Sequence, residues 1–529
     1  MSTPINAKIF DCIVIGAGHN GLTSAAYLAK AGKSVLVLEA QHQVGGAAAT
    51  RSFAPGFSVS SCAHLLHGLP EKLIAELDLH KHGLQFAAES LPTYSLCAEG
   101  NPVRLLNGAA HGNQLSEKDK AAYAAFIKKM NKFAAVMLHI LNMVPPRLSL
   151  EEWSERINML TVGWKVRSLG KRNMREFLRI IGMNMYDLLT EHFDNELLRG
   201  AIGMDAALGA EHGPRSPGTV LNYLYRLAGE VAAGKKGTAQ PKGGMSNLSN
   251  ALANAVKAAG GEIRTNTRVE RIAVTDDRVS GVVLASGETI TAGAVLSNAD
   301  PETTLLKLLG AAHLDTGFVR KVHHVRNHGK AAKLHIALSG KPEFKGFKAD
   351  AVPGRLIVSP SIDYLELSFN PSKYREVPRE PSMEISIPTL SDPTLAPNGK
   401  HILSAIVQFV PYDLGADPTA ARAALTENII STLERYAPAI RSQIIALELL
   451  TPRDLEAEFG MSGGHWHHAA LSFDQFFFTR PVPGAAQFET PLAGLYLCGA
   501  GAHPGGGVMG IAGRNAAKKL LSGGRYVRK

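Results

Sequence analysis

The spacing of apolar residues changes twice between residues 10 and 39. FDCIVI (10–15) is a continuous apolar run, as in a strand covered on both faces. GLTSAAYLAKA, opening at Gly21, has helical spacing and closes at Gly32, a C′-like position. SVLVLEA returns to an apolar run and ends in Glu39. This predicts a βαβ unit at the start of the chain. Residues 115–235 read as mostly helical, with apolar faces in FIKKMNKFAAVMLHILNMV and MREFLRIIGMNMYDLLTEHF. Residues 331–412 alternate like strands in AKLHIALSG, LIVSPSIDYLELSF, MEISIPTL and HILSAIVQFV, and a helix is predicted at about 419–436. Between them, Gly243-Gly244 makes a turn, Ser246 is placed to cap a helix over 247–259, and β-rich sequence runs on to Asn298-Ala299, which ends a strand returning towards the ligand held by the first turn, with Asn298 expected to contact it. Near the C-terminus LYLCG predicts a short strand, returning to the sheet beside the strand that carries Cys12, with a helix starting near Val508. The pattern predicts an α/β chain woven between two domains. One takes residues 1–90, 240–305 and 480–529; the other, a sheet with a helical cap, takes 91–239 and 306–479.

The first strand ends in Gly16-Ala17-Gly18-His19-Asn20-Gly21, a GxGxxG in its full βαβ context. The first glycine permits a tight turn, the second admits a pyrophosphate to the backbone, and the third lets the helix pack on the strand. His19 and Asn20 open the helix whose N-terminus faces the phosphates, and Glu39, followed by Ala40, is placed to bind a ribose. Gly45-Gly46-Ala47 follows closely; a second glycine pair there suits the ribityl and flavin part of FAD and has no use in a nicotinamide site. The late turn, with Gly499, Ala500, Val508, Met509 and Gly510, is expected to complete the same FAD site rather than form a second one.

These segments resemble the flavoprotein superfamily of phytoene desaturases, retinol saturases and amine oxidases. PKGGMSNLSNALANAVKAAGGEIRTNTRVERI (241–272), AVLSNADP (294–301) and CGAGAHPGGGVMG narrow the resemblance to its carotenoid-desaturase-like branch. The resemblance implies a Rossmann-type FAD domain interleaved with a substrate domain of amine oxidase/phytoene desaturase type. It also implies adenine held through the backbone at Val269. The expected activity is desaturation or saturation of an apolar, isoprenoid- or lipid-like substrate by hydride transfer to flavin N5. Oxygen, a quinone or NAD(P) would then take the electrons. Amine oxidation is the alternative, and a flavoprotein acting mainly through partners is a third.

Composition narrows the classes further. The net charge of +10 is spread over 529 residues without a nucleic-acid module. The four cysteines include no CxxC, which excludes an obvious redox dithiol or metal knuckle. The N-terminus runs into a strand without a signal peptide, and no run of 18 uncharged apolar residues occurs, so a cytoplasmic chain is expected. His503 in the late glycine turn could orient substrate or shuttle a proton, or simply fix the loop through a backbone hydrogen bond. His465, in GGHWHH, and His64, after the second glycine pair, are further catalytic candidates. The histidines of GGHWHH, read as a strand, would point to opposite faces, so no metal site is expected. Phe473, Phe476, Phe477 and Phe478 could line an apolar tunnel or pack a core. The basic stretch 164–180 suits a solvated or oligomer-contact helix, or peripheral contact with a membrane.

Overall fold

The computed structural model describes residues 9–147, 153–229, 238–347 and 354–523. Residues 1–8, read above for a targeting signal, lie outside the described residues.

Two sheets organise the chain. In the first, Phe10–Ile15 lies between Val35–Leu38 and Thr289–Ser297, parallel to both. Glu262–Arg264 extends this sheet beyond Val35–Leu38, and Leu495–Leu497 extends it beyond Thr289–Ser297, again in parallel. LYLCG thus joins the expected sheet but not the expected neighbour, since Thr289–Ser297 separates it from the strand carrying Cys12. The cause is the length of Thr289–Ser297. One edge pairs with Phe10–Ile15, while the other is divided between antiparallel Arg278–Leu284 at its start and Leu495–Leu497 at its end.

The helix His19–Lys30 packs against Ser246–Ala258 and Ile511–Leu521. The second contact depends on Gly513. A Cβ there would sit 2.0 Å from the Asn20 carbonyl oxygen, and the Ser24 hydroxyl donates to the Gly513 carbonyl at 2.8 Å. Two predicted helix starts shift. Ser246 is the first helical residue rather than the cap, and its hydroxyl accepts from the Thr50 amide at 2.6 Å. The last helix begins at Ile511, not near Val508, because Gly510 takes a left-handed conformation (φ 68°) that holds it outside the helix.

The second sheet has eight strands: Ile444–Leu450, Ala331–Leu338, His401–Gln408, Met383–Ser386, Arg355–Val358, Thr93–Ser95, Val103–Leu106 and Ala109–His111, in spatial order. Helix Pro418–Tyr436 covers one face, with Leu425, Ile429 and Leu433 in the same core as Leu334, Ile336 and Leu403. A helical cap that includes Glu117–Asn142, Glu196–Ala207 and Thr219–Gly229 forms a separate core. The segment LIVSPSIDYLELSF is not one strand. The strand stops at Val358, and Ser361, accepting from the Tyr364 amide at 2.9 Å, starts the helix Ile362–Phe369.

Candidate functional site

Parallel α/β sheets bind ligands at the carboxyl ends of their strands. Gly16, Glu39, Asn298 and Cys498-Gly499 each follow directly from a parallel strand of the first sheet, so four distant parts of the chain converge there. Gly16, Glu39 and Asn298 line a cavity of about 430 Å³ that runs from Glu39, Ala40 and Val269 past Gly16, Gly18 and Asn20 to Gly45, Gly46 and Ala47. Ala500 also lines it. Gly16 has φ 90°, which favours glycine. A Cβ on Gly18 would lie 2.6 Å from Asn298 Nδ2. The two glycine motifs are joined by the Gly45 amide donating to the Ala17 carbonyl at 2.9 Å. The Glu39 carboxylate accepts from the Ala17 amide at 2.7 Å and the Gln41 amide at 2.9 Å, which fixes its position at the strand end.

A second, inner cavity of about 110 Å³ adjoins this cradle, and His19, Ala47 and Trp466 line both. Its surface is mainly apolar, with alkyl groups such as Leu65, Leu208, Leu471 and Val508 beside the aromatic rings of His67, Tyr225 and Trp466. Its polar groups include a buried ionic cluster. Glu384 bonds Arg355, Arg226 Nη2 at 3.0 Å and His64 Nε2 at 3.1 Å, and Asp205 bonds Arg355 and Arg226 Nε at 3.0 Å.

The cradle fits a flavin dinucleotide. Its glycines leave backbone bare where a phosphate or a ribityl chain must pass, and the buried His19 Nε2 and His468 Nδ1 on its wall have no hydrogen-bond partner among the described residues. The family model for flavin containing amine oxidoreductases matches residues 21–521. The chain belongs to that family. Its cofactor is FAD, and it is an FAD-dependent oxidoreductase with a Rossmann-type α/β fold. Among its relatives is the rat pyridine nucleotide-disulfide oxidoreductase domain-containing protein 2, 32% identical over 96% of this chain and 92% of that protein. One of the polypeptides of a limonene dehydrogenase from Castellaniella defragrans is 26% identical, over 97% and 94% of the two chains. A lycopene-forming phytoene desaturase of Pseudescherichia vulneris is 27% identical, over 94% and 96%. The resemblance to phytoene desaturases read from the sequence is thus upheld. All four cysteines are free and buried, so the dithiol that the rat protein's name suggests has no counterpart here.

Not every residue expected at the FAD site lines it. Gly21 and Gly499 act behind the wall: a Cβ on Gly21 would meet the Gly16 carbonyl oxygen at 2.2 Å, and one on Gly499 would meet the Asn298 carbonyl oxygen at 2.4 Å. Gly510 packs toward Leu73 and Thr23, and Met509 is buried over Gly68. Val508 lines the inner cavity instead of the cradle.

The histidines separate more sharply. His64 lines the inner cavity; burial pushes its pKa down to about 4, which leaves it neutral to hydrogen-bond Glu384. Burial raises the Glu384 carboxyl, but Arg355 and Arg226 outweigh it and hold the group well below the usual carboxylate range. His503 is fully buried away from both cavities, with Nε2 2.9 Å from the Ile140 carbonyl oxygen and its ring between Phe476 and Phe477. Of the two roles open to it, the loop-fixing backbone hydrogen bond is the one this geometry supplies. His465 is likewise buried behind the wall, 3.8 Å from Glu211. Residues 465–468 form turns rather than a strand, so His467 reaches the inner cavity and His468 the cradle. Of the four phenylalanines, Phe473 is half exposed, and the others pack around His503 and the helical core instead of lining a tunnel.

Sequence reasoning missed three contributors. Trp466 stands where the cavities meet, and Arg226 and Glu384 carry the ionic cluster. Their signals were weak, because each lies within an ordinary helix, strand or turn. Lys333 is fully buried, its ammonium has no hydrogen-bond partner among the described residues, and burial pushes its pKa down to about 7.

Proposed function

We propose that this chain oxidises a compact, chiefly apolar, isoprenoid-like substrate that carries one polar group. The observation that carries this reading is the inner cavity: a chiefly apolar surface, one charged cluster, and a shared boundary with the FAD cradle at His19, Ala47 and Trp466. FAD, when bound, supplies the acceptor for a hydride from a substrate C–H bond and passes the electrons on to oxygen, a quinone or NAD(P). The apolar surface, including Leu65, Leu208, Ile406 and Leu471, binds the hydrocarbon part and excludes water. Arg226 and neutral His64, held by Glu384, orient the polar group. The limonene and phytoene relatives support an isoprenoid class, and the narrow cavity favours a short chain over a long one. An extended chain would have to pass the Asp205–Arg226 pair, since those two residues also line a further cavity near Tyr123 and Asn107. Amine oxidation is disfavoured because both carboxylates of the cluster already face guanidinium partners, which leaves no uncompensated charge for an ammonium.

The test is anaerobic mixing of the flavin-loaded protein with a cyclic monoterpene alcohol, a long polyene and a primary amine, following loss of flavin absorbance. Bleaching by the monoterpene is expected. Bleaching by the amine alone would overturn the substrate class. A photoreduced flavin that cannot be reoxidised by any acceptor would overturn the enzymatic reading and favour action through partners.

A further inference from the structure

The helix Trp153–Ser168 carries large apolar side chains on its outer face. Trp153 is 73% exposed, Ile157 53%, Leu160 69% and Trp164 72%. Their spacing of four, three and four residues puts them on one stripe. The opposite side of the same helix, through Val162 and Val166, packs on the helical core. The stripe is therefore not a helix face turned the wrong way; the helix has a half-buried apolar side and a second apolar side left outside.

Charge indicates what would cover that stripe. Lys165 and Arg167 are exposed on the same helix, and Lys171, Arg172 and Arg175 on the next. Residues 153–180 contain two acids, Glu155 and Glu176. Glu155 is buried against Gln487, and Glu176 is engaged by Arg179, so neither offsets the cations. A second copy of the chain, meeting this face across a two-fold axis, would bring the same cations against each other. Phosphate headgroups would instead neutralise them, while the indoles and alkyl groups enter the headgroup–acyl boundary. We infer that Trp153–Ser168 is a docking face for an anionic lipid bilayer, lying in the plane of the interface without crossing it. Among the described residues no helix is long and apolar enough to cross a membrane. The inference does not depend on the substrate class proposed above.

Two of the chain's three tryptophans are on the stripe, which gives a direct readout in the unaltered protein. The flavin-loaded full chain is mixed with phosphatidylcholine vesicles, with or without phosphatidylserine and with or without brominated acyl chains. Expected are sedimentation with the anionic vesicles, weakening as salt rises, and quenching of tryptophan fluorescence by the brominated chains. The double variant Trp153→Ser/Trp164→Ser should retain its flavin and bind at least about tenfold more weakly, and so should Lys171→Glu/Arg175→Glu. Absence of binding and quenching with anionic vesicles would overturn the inference. So would equal binding to neutral vesicles at all salt concentrations. Self-association of the wild type that the tryptophan changes abolish, without vesicle binding, would assign the face to a second copy instead.

Discussion

Gly21 has no room for a side chain, since a Cβ there would lie 2.2 Å from the Gly16 carbonyl oxygen, in a turn that cannot retreat from the cofactor. Gly21→Ala is expected to cost on the order of 1–3 kcal/mol and to lower the flavin-to-protein absorbance ratio of the purified protein. Lys333 makes a different prediction. Its pKa is about 7 in the fold and 10.5 in the unfolded chain, so between those values the unfolded state binds more protons. Stability from this residue therefore rises with pH across that window. Lys333→Met should be more stable than wild type near pH 7, and urea titrations should show the difference shrinking towards pH 10. At this scale the sequence was informative where chemistry forces a residue type at a fixed spacing, as at Gly16, Gly18 and Glu39. It was uninformative at Glu384, whose partners Arg226, Arg355 and His64 come from remote segments. His503 stood out for its place in a glycine turn, but packing against Ile140, Phe476 and Phe477 decides its surroundings.

Between elements, that ionic cluster is the principal polar joint. It ties helices Glu196–Ala207 and Thr219–Gly229, through Asp205 and Arg226, to strands Arg355–Val358 and Met383–Ser386. Removing one partner of a buried pair leaves the others uncompensated, typically at a cost of about 3–5 kcal/mol. Glu384→Gln should therefore lower the melting temperature markedly and loosen the cap from the sheet, with faster amide exchange in Thr219–Gly229 as the local readout. Helix and strand types were legible wherever periodicity ran uninterrupted, as in Glu117–Asn142 and His401–Gln408. They were misread at LIVSPSIDYLELSF, where Ser361 switches the chain from strand to helix within three residues of Val358. Strand order was legible only in part. The apolar run at 495–497 fits any interior place in a parallel sheet, and the length of Thr289–Ser297 selects the one it takes.

Across the whole molecule, several histidines, some buried and some half-buried, are held in neutral form by desolvation. Burial lowers His19 and His64 to about 4, and His67, His465 and His503 to about 3. Unfolded histidine takes up its proton near pH 6.5, so between that value and about 4 the unfolded state holds the excess protons. The stabilisation is fully present above pH 6.5 and is lost as pH falls. Melting temperature should drop steeply from neutrality towards pH 5, and flavin release, followed by fluorescence, should accompany it. His19 and His468 lie on the cradle wall, so added FAD should partly offset the drop.

The convergence of four strand ends on one cradle bears on how the protein is made. Synthesis runs from the N-terminus, so the first glycine turn leaves the ribosome well before the strand and helix that complete the site, Leu495–Leu497 and Ile511–Leu521. A nascent chain must therefore extend beyond Leu497 before the cradle can be completed. Any messenger truncated ahead of residue 495 encodes a product that keeps the glycine fingerprint yet cannot close around the cofactor. Flavin retention therefore reports that a chain has been made through its late strand.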